Sequence, residues 1–297
     1  MKRFARLSPD ARGALYMLAG GAFMTLAHST FKYLATDLPW GVIALSRHVV
    51  GVLCFAPLFL RRGTAAFRTQ RPFAHLVRTC FGFGSYMTFV YALTRLSFGD
   101  TVALSFTAPF WGAAIAIFVL REGIVPSRLL ATVGGFVGVV LIAKPGGSFH
   151  PAMIVALGSA FLMSLAMYQV RQLADSEPPD RITFYFMLFG ILLALPFALA
   201  DWQTPAWHDL PLLAVVGIAS FFGQRCLTRG YSSGTFSKMA PMDFLRLPWS
   251  VAIGFAVFAE VPDPWSILGM AIIAVALLAI VWGGRAAPAP VPAPVKS

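Results

Sequence analysis

SKMAPMDFLRLPWSVAIGFAVFAE, residues 237–260, is long enough to cross a bilayer, yet it carries Asp243 and Arg246 near its middle with Pro241 and Pro248 beside them. An ionisable residue at membrane depth is costly, so it faces a partner or a wet cavity and marks function. Whether this stretch spans a membrane is decided by the rest of the chain.

The rest of the chain is built the same way. Of 297 residues, 58% are hydrophobic and 12% charged, and the mean hydropathy is +0.75. A soluble domain carries about 25% charged residues. Apolar runs recur along the whole length, at 13–34, 41–60, 73–94, 100–120, 126–143, 151–173, 182–200, 210–228, 235–258 and 264–283. Most approach the ~20 residues that a membrane-spanning helix needs. In lipid each backbone group must be paired internally, and a barrel would show short alternating segments. The expected fold is therefore an all-α membrane protein of ten transmembrane helices. Connections are short, and residues 284–297, ending AAPAPVPAPVKS, read as a disordered Pro/Ala-rich tail.

The net charge of +11 does not indicate a nucleic-acid partner, because the basic residues cluster in short loops between apolar runs. With the tail 1–12 in the cytoplasm, that side collects sixteen Lys and Arg residues, among them Lys2, Arg3, Arg61, Arg62, Arg78, Arg181 and Arg285. The opposite side receives Lys32, Arg95 and Lys144, with Asp201, Asp209 and Asp263 in its later loops. Both termini are then cytoplasmic and the number of spans even. Cys54, Cys80 and Cys226 are scattered singly in apolar segments, and no CxxC or Cys/His spacing suggests a metal or cofactor. The basic opening MKRFAR precedes a long apolar run whose end, HSTFKYL, lacks a small-residue cleavage site, so no signal peptide is expected.

The two halves echo each other. ALTR (92–95) closes the third span and CLTR (226–229) the eighth; Glu122 and Glu260 end the fourth and ninth, each with proline shortly after. Two five-span units, 13–145 and 146–283, must be inverted relative to each other because five is odd. Inverted repeats are a transporter architecture with the site near the midplane between the halves.

On these residues the chain resembles the drug/metabolite transporter superfamily, in its EamA-type two-repeat form. The carriers are ALTRLSFGDTVALSFTAPFWGAAIAIFVLREG, GGFVGVVLIAKPG and MDFLRLPWSVAIGFAVFAEVPDPWSILGMAII. LSRHVVG around Arg47, HLVR at the start of span three and DFLRLP in span nine resemble a branch that includes importers of S-adenosylmethionine or riboflavin. The resemblance implies an inner-membrane, multi-pass carrier with a central cavity lined by spans one to four and six to nine. Spans five and ten would then be peripheral or form a dimer contact.

Candidate site residues follow from polar groups at depth. Asp243 and Arg246 are three apart and share a helical face. They could grip a zwitterionic substrate, Asp243 could carry a proton, or the two could form an internal pair. Arg246 is the stronger candidate, since its planar fork suits carboxylate or phosphate. Arg47 either lines an outer vestibule or snorkels to headgroups. Arg225 lies nearer the cytoplasmic edge and reads as snorkelling, and Gln224 either faces a cavity or joins two helices. His28, Tyr86, Thr107, Trp111, Tyr168 and Trp249 complete the substrate-binding candidates as aromatic and hydroxyl groups near midspan. Pro109 and Pro248 remove backbone bonds near the centres of spans four and nine, as gates do, or make static kinks. Gly134, Gly135 and Gly138 in span five, and Gly82 and Gly84 in span three, permit close helix packing. Glu122 and Glu260 read as helix-end residues that fix the adjacent turn.

The function expected is secondary active transport of a small polar or amphipathic metabolite, amino-acid-like, S-adenosylmethionine-like or vitamin-like, by alternating access. No ATP-binding motif is present, so the drive would be a proton, a counter-substrate or the substrate's own gradient. No cofactor or nucleic acid is expected, and the protein would be a monomer or homodimer in the bilayer. The alternatives are an intramembrane lipid-modifying enzyme, against which the five histidines are dispersed, and a non-transporting sensor or scaffold.

Overall fold

The computed structural model describes residues 9–118, 126–143, 150–233 and 246–283. Asp243 and Glu122, together with the side chains of Arg246, Trp249, Pro109 and Pro248, lie outside the described residues. All regular structure among the described residues is helical. The helices are α1 (Pro9–Leu34), α2 (Trp40–Leu53), α3 (Ala56–Arg62), α4 (Pro72–Leu93), α5 (Phe98–Ser105) and α6 (Ala108–Phe118) in the first half, with α7 (Pro126–Ala143) completing it. The second half holds α8 (Ala152–Ala174), α9 (Pro179–Ala200), α10 (Leu210–Ser233), α11 (Arg246–Phe258) and α12 (Pro264–Gly283). Among the described residues, four segments are long and apolar enough to cross a membrane: Trp40–Arg61, Ala152–Ala174, Pro179–Ala200 and Leu210–Gly230.

Proline places several of the starts. α1, α4, α7, α9 and α12 each open on one, where the missing N–H is one that the first turn leaves unpaired in any case. Asp263 caps α12, its carboxylate accepting from the backbone of Trp265 and Ser266. Two runs expected as single spans are broken. The run at 41–60 divides at Cys54–Phe55, just ahead of Pro57, and the run at 100–120 divides at Phe106–Thr107, just ahead of Pro109. At the second break Phe106 and Thr107 donate to carbonyls three residues back, Ala103 and Leu104. A proline has no N–H to continue the ladder and clashes with the preceding turn. Pro248 falls in the first turn of α11.

The packing has a two-fold pattern. Exchange α1 with α8, α2/α3 with α9, α4 with α10, α5/α6 with α11, and α7 with α12. The extensive α1–α10 contact then becomes α8–α4, α2–α10 becomes α9–α4, and α6–α8 becomes α11–α1, all of which are present. The pairs α2–α9, α5–α11 and α7–α12 map onto themselves.

Glycines make two of these self-paired crossings. A β-carbon on Gly190 of α9 would lie 2.0 Å from His48 Cδ2, and one on Gly51 of α2 would lie 2.7 Å from Met187 Sδ. Each helix thus presents a glycine to the residue three positions before the other's glycine. In α7 and α12, Gly138 meets Ile273 and the carbonyl of Gly269, while Gly269 meets Ile142 and the carbonyl of Gly138. Both crossings are antiparallel, with Gly41 at Phe197 in one and Gly134 at Ala276 in the other. A half-turn that exchanges two antiparallel helices has its axis perpendicular to them, so the halves are inverted relative to each other.

Candidate functional site

At the α2–α9 crossing the matched positions carry different chemistry. The pair preceding Gly51 by four and three residues is Arg47–His48; its counterpart before Gly190 is Phe186–Met187. Arg47 is 2% exposed, and its Cζ lies 3.9 Å from the centre of the Tyr86 ring of α4 and 5.9 Å from that of Phe186. Arg78 of α4 is 1% exposed, with its Cζ 3.9 Å from the Phe186 ring centre. Arg78, Gly82 and Tyr86 follow one another at four-residue spacing on one face of α4. A β-carbon on Gly82 would stand 3.0 Å from Phe186 Cε2, so the glycine lets that ring reach Arg78.

His48 completes the cluster. Its Nδ1 lies 2.7 Å from the Ala44 carbonyl, which can only accept, so Nδ1 carries a proton. The ring sits among Phe83, Tyr86 and Phe186. Nε and Nη1 of both arginines and His48 Nε2 are buried with no hydrogen-bond partner. Two guanidinium groups thus share an aromatic interior with no carboxylate beside them among the described residues.

The other expected residues distribute differently. His28 is buried against Phe89, one turn along α4 from Tyr86, and Phe31 meets Tyr86 edge-on, so His28 borders the same region. Trp111 packs between Phe136 and Phe161 and joins α6, α7 and α8 away from the arginines. Thr107 donates to the Leu104 carbonyl at the break between α5 and α6. Tyr168 is 38% exposed and accepts from Gln172. Gln224 lies 3.5 Å from Thr228 Oγ1, which meets Thr183 of α9. Arg225, read as snorkelling, pairs through its guanidinium with both oxygens of Asp180, which Arg229 also reaches. Among the described residues no group of three or more His, Cys, Asp or Glu is placed to hold a metal.

Arg78, Phe186 and His48 were not among the expected ligands. Arg78 counted as a cytoplasmic charge from sequence, whereas the structure turns it into the bundle. Below it on α4, His75 is fully buried with its Nε2 3.8 Å from Glu177 Oε1, and its ring stacks on Tyr185. Glu177 accepts from Thr69 at 2.5 Å and from Arg181 at 2.6 Å, joining the loop before α4 to the loop before α9.

Burial pushes the Glu177 carboxyl up, but its hydrogen bonds to Thr69 and Arg181 and the Arg181 charge outweigh burial and leave it below its ordinary 4.5. A carboxylate held lower in the folded state stabilises fully above its unfolded value, and that stabilisation is lost as pH falls through the folded one. Melting temperature in detergent should therefore decline below pH 4.5 more steeply for the wild type than for Glu177→Gln. The variant should also melt lower at neutral pH. Superimposable profiles would remove the role assigned to this carboxylate.

A helical bundle with inverted halves and a polar cluster where they cross is the build of a membrane carrier. The model of the EamA-like transporter family matches residues 11–144 and again 150–282, and the chain belongs to that family. It is 30% identical over 257 residues to the S-adenosylmethionine uptake transporter of Rickettsia prowazekii (strain Madrid E), covering 86% of this chain and 87% of that protein. It is 29% identical over 272 residues to the riboflavin transporter of Vibrio cholerae serotype O1, covering 88% and 90%. A solved crystal structure shares the fold, with a TM-score of 0.68 at 16% identity over 93% of this chain and 98% of that one. Family and relatives indicate a transporter of small metabolites rather than an enzyme.

Proposed function

We propose that the chain is a secondary transporter that moves a small metabolite across the inner membrane by alternating access. Its ten spans form two inverted repeats, 13–145 and 146–283, with both termini in the cytoplasm. The observation that carries this reading is the α2–α9 crossing. It lies where the halves meet and it sets Arg47 of one against Phe186 of the other. Rocking one half against the other changes the environment of such a cluster without breaking either half. Proton or counter-substrate coupling would supply the drive.

Purified full-length protein in liposomes should accumulate a labelled metabolite with no ATP present. S-adenosylmethionine, riboflavin and a mixed pool of amino acids and organic acids are the solutes to offer. Absence of uptake across that pool, with turnover of a lipid instead, would replace the carrier with an intramembrane enzyme.

A further inference from the structure

The two arginines at the crossing indicate what the carrier takes, and this inference rests on the transporter reading above. We propose that the transported metabolite carries an oxyanion, a carboxylate or a phosphate ester, seated between Arg47 and Arg78 beside the Tyr86 and Phe186 rings.

The first ground is an imbalance. An ion moved into a protein interior loses hydration worth several kcal/mol even after relaxation. A desolvated cation–π contact returns roughly 2 kcal/mol, so the rings alone leave each guanidinium short. Nε and Nη1 of both side chains remain without acceptors. Glu177, the acid beside His75 of α4, is already engaged by Thr69 and Arg181. The guanidinium fork matches the paired oxygens of carboxylate and phosphate, which accept strong charge-assisted bonds from it.

The second ground is position. Arg47 comes from α2, Arg78 from α4 and Phe186 from α9, so the cluster draws on both halves. The half-turn that relates the folds does not relate these residues, since Phe186 occupies the place matched to Arg47. A residue kept only for packing at a symmetric crossing would have no reason to be arginine on one side and phenylalanine on the other. His48, with a proton on Nδ1, offers Nε2 to a hydroxyl or a protonated oxygen of the same ligand.

Matched pairs of probes test this on the full-length protein: riboflavin 5′-phosphate against riboflavin, S-adenosylmethionine against its decarboxylated form, and succinate against succinamide. Ligands that bind the folded state raise its melting temperature, and each probe is also tried as a competitor of uptake in liposomes. The oxyanion member of at least one pair should stabilise and compete, and its partner should not. The pair that responds separates phosphate from carboxylate. Arg47→Gln and Arg78→Gln should each weaken that ligand by at least about 30-fold, as expected when one side of a buried charge pair is removed. Without ligand both variants should melt at or above the wild-type temperature, because each loses an unpaired buried charge. Arg→Lys at either position keeps the charge but loses the fork, and should bind between wild type and Gln.

Neutral probes that bind as well as their partners would overturn the proposal. So would Gln variants that retain uptake, or transport with which no oxyanion competes. A fall in ligand-free melting temperature in both Gln variants would assign the pair to structure instead. Liposomes that move no solute would indict the transporter reading, not the assignment of the oxyanion.

Discussion

Gly190→Ala is expected to destabilise the protein by about 2–3 kcal/mol, the upper part of the cost of overpacking a tight core, and to abolish transport. Its pseudo-symmetric mate, Gly51→Ala, should be close to neutral. Both glycines sit at the same crossing and receive the residue three positions before the other, so the contrast isolates what each one faces. The new methyl at 190 would stand 2.0 Å from the imidazole of His48. That ring is pinned to the Ala44 carbonyl and enclosed by Phe83, Tyr86 and Phe186, and Arg47 adjoins it. At 51 the methyl meets Met187 Sδ at 2.7 Å, and an unbranched thioether with rotatable bonds adapts to it more readily than a pinned ring. Replacing a glycine inside a helix also gains roughly 0.5–1 kcal/mol, which offsets that small cost. Melting in detergent and uptake in liposomes, measured on both variants, give the comparison. His48→Ala combined with Gly190→Ala should recover most of the lost stability but not transport. Equal costs at 51 and 190 would show that the two sides of the crossing relax alike and that His48 is not held.

The same contrast shows why much of the fold was legible and much of the site was not. A bilayer span imposes a length and an apolar composition, so the run at 151–173 reappears as Ala152–Ala174 and the run at 264–283 as Pro264–Gly283. The repeat was legible at the span ends. Arg229 of CLTR reaches Asp180 at the start of α9, while Arg95 of ALTR lies 5.2 Å from the ring of Trp40 at the start of α2. The breaks in the runs at 41–60 and 100–120 were not, since proline marks a weak point without saying whether the helix bends or divides.

Arg78 shows the limit of hydropathy most plainly. Six residues into an apolar run, an arginine can snorkel outward or turn inward, and composition is the same in both cases. Its local signal was the spacing of Arg78, Gly82 and Tyr86, which leaves room beside the cation for a ring from another helix. Phe186 carried no such mark among 27 phenylalanines, because its role depends on which helix crosses which. Arg47 and Tyr86 were singled out by polarity at depth, and the structure brings them together. Arg246 was singled out on the same ground, and its side chain lies outside the described residues.

Glu260→Ala is the second substitution expected to act strongly, at the opposite end of the bundle from Glu177. Glu260 follows Ala259, whose backbone lies in the left-handed region at φ 53°, and its N–H donates to the Gly254 carbonyl. Its carboxylate pairs with Lys32 of the last turn of α1 and accepts from the backbone N–H of Phe98, the first residue of α5. Lys32 also donates to the Leu96 carbonyl at 2.9 Å. One acid therefore ties the end of α11 to the end of α1 and caps the start of α5. Breaking a buried pair from one side costs about 3–5 kcal/mol, and partial exposure of Lys32 and Glu260 at 14% and 20% puts the expected loss nearer about 2–3 kcal/mol once solvent screening is counted. Lys32→Met should cost less, because the carboxylate keeps the Phe98 N–H. The double variant should lose less than the sum of the singles, as a shared contact requires. Helix α5 packs on α11, and α11 on α1, so freeing these ends should loosen the contact that closes this face. Cysteine labelling from that side at position 99, where a β-carbon would stand 3.2 Å from Val251 of α11, should then be faster in Glu260→Ala than in Lys32→Met. Equal stability and equal labelling in the two variants would mean that the salt bridge alone, and not the cap on α5, holds the three ends together.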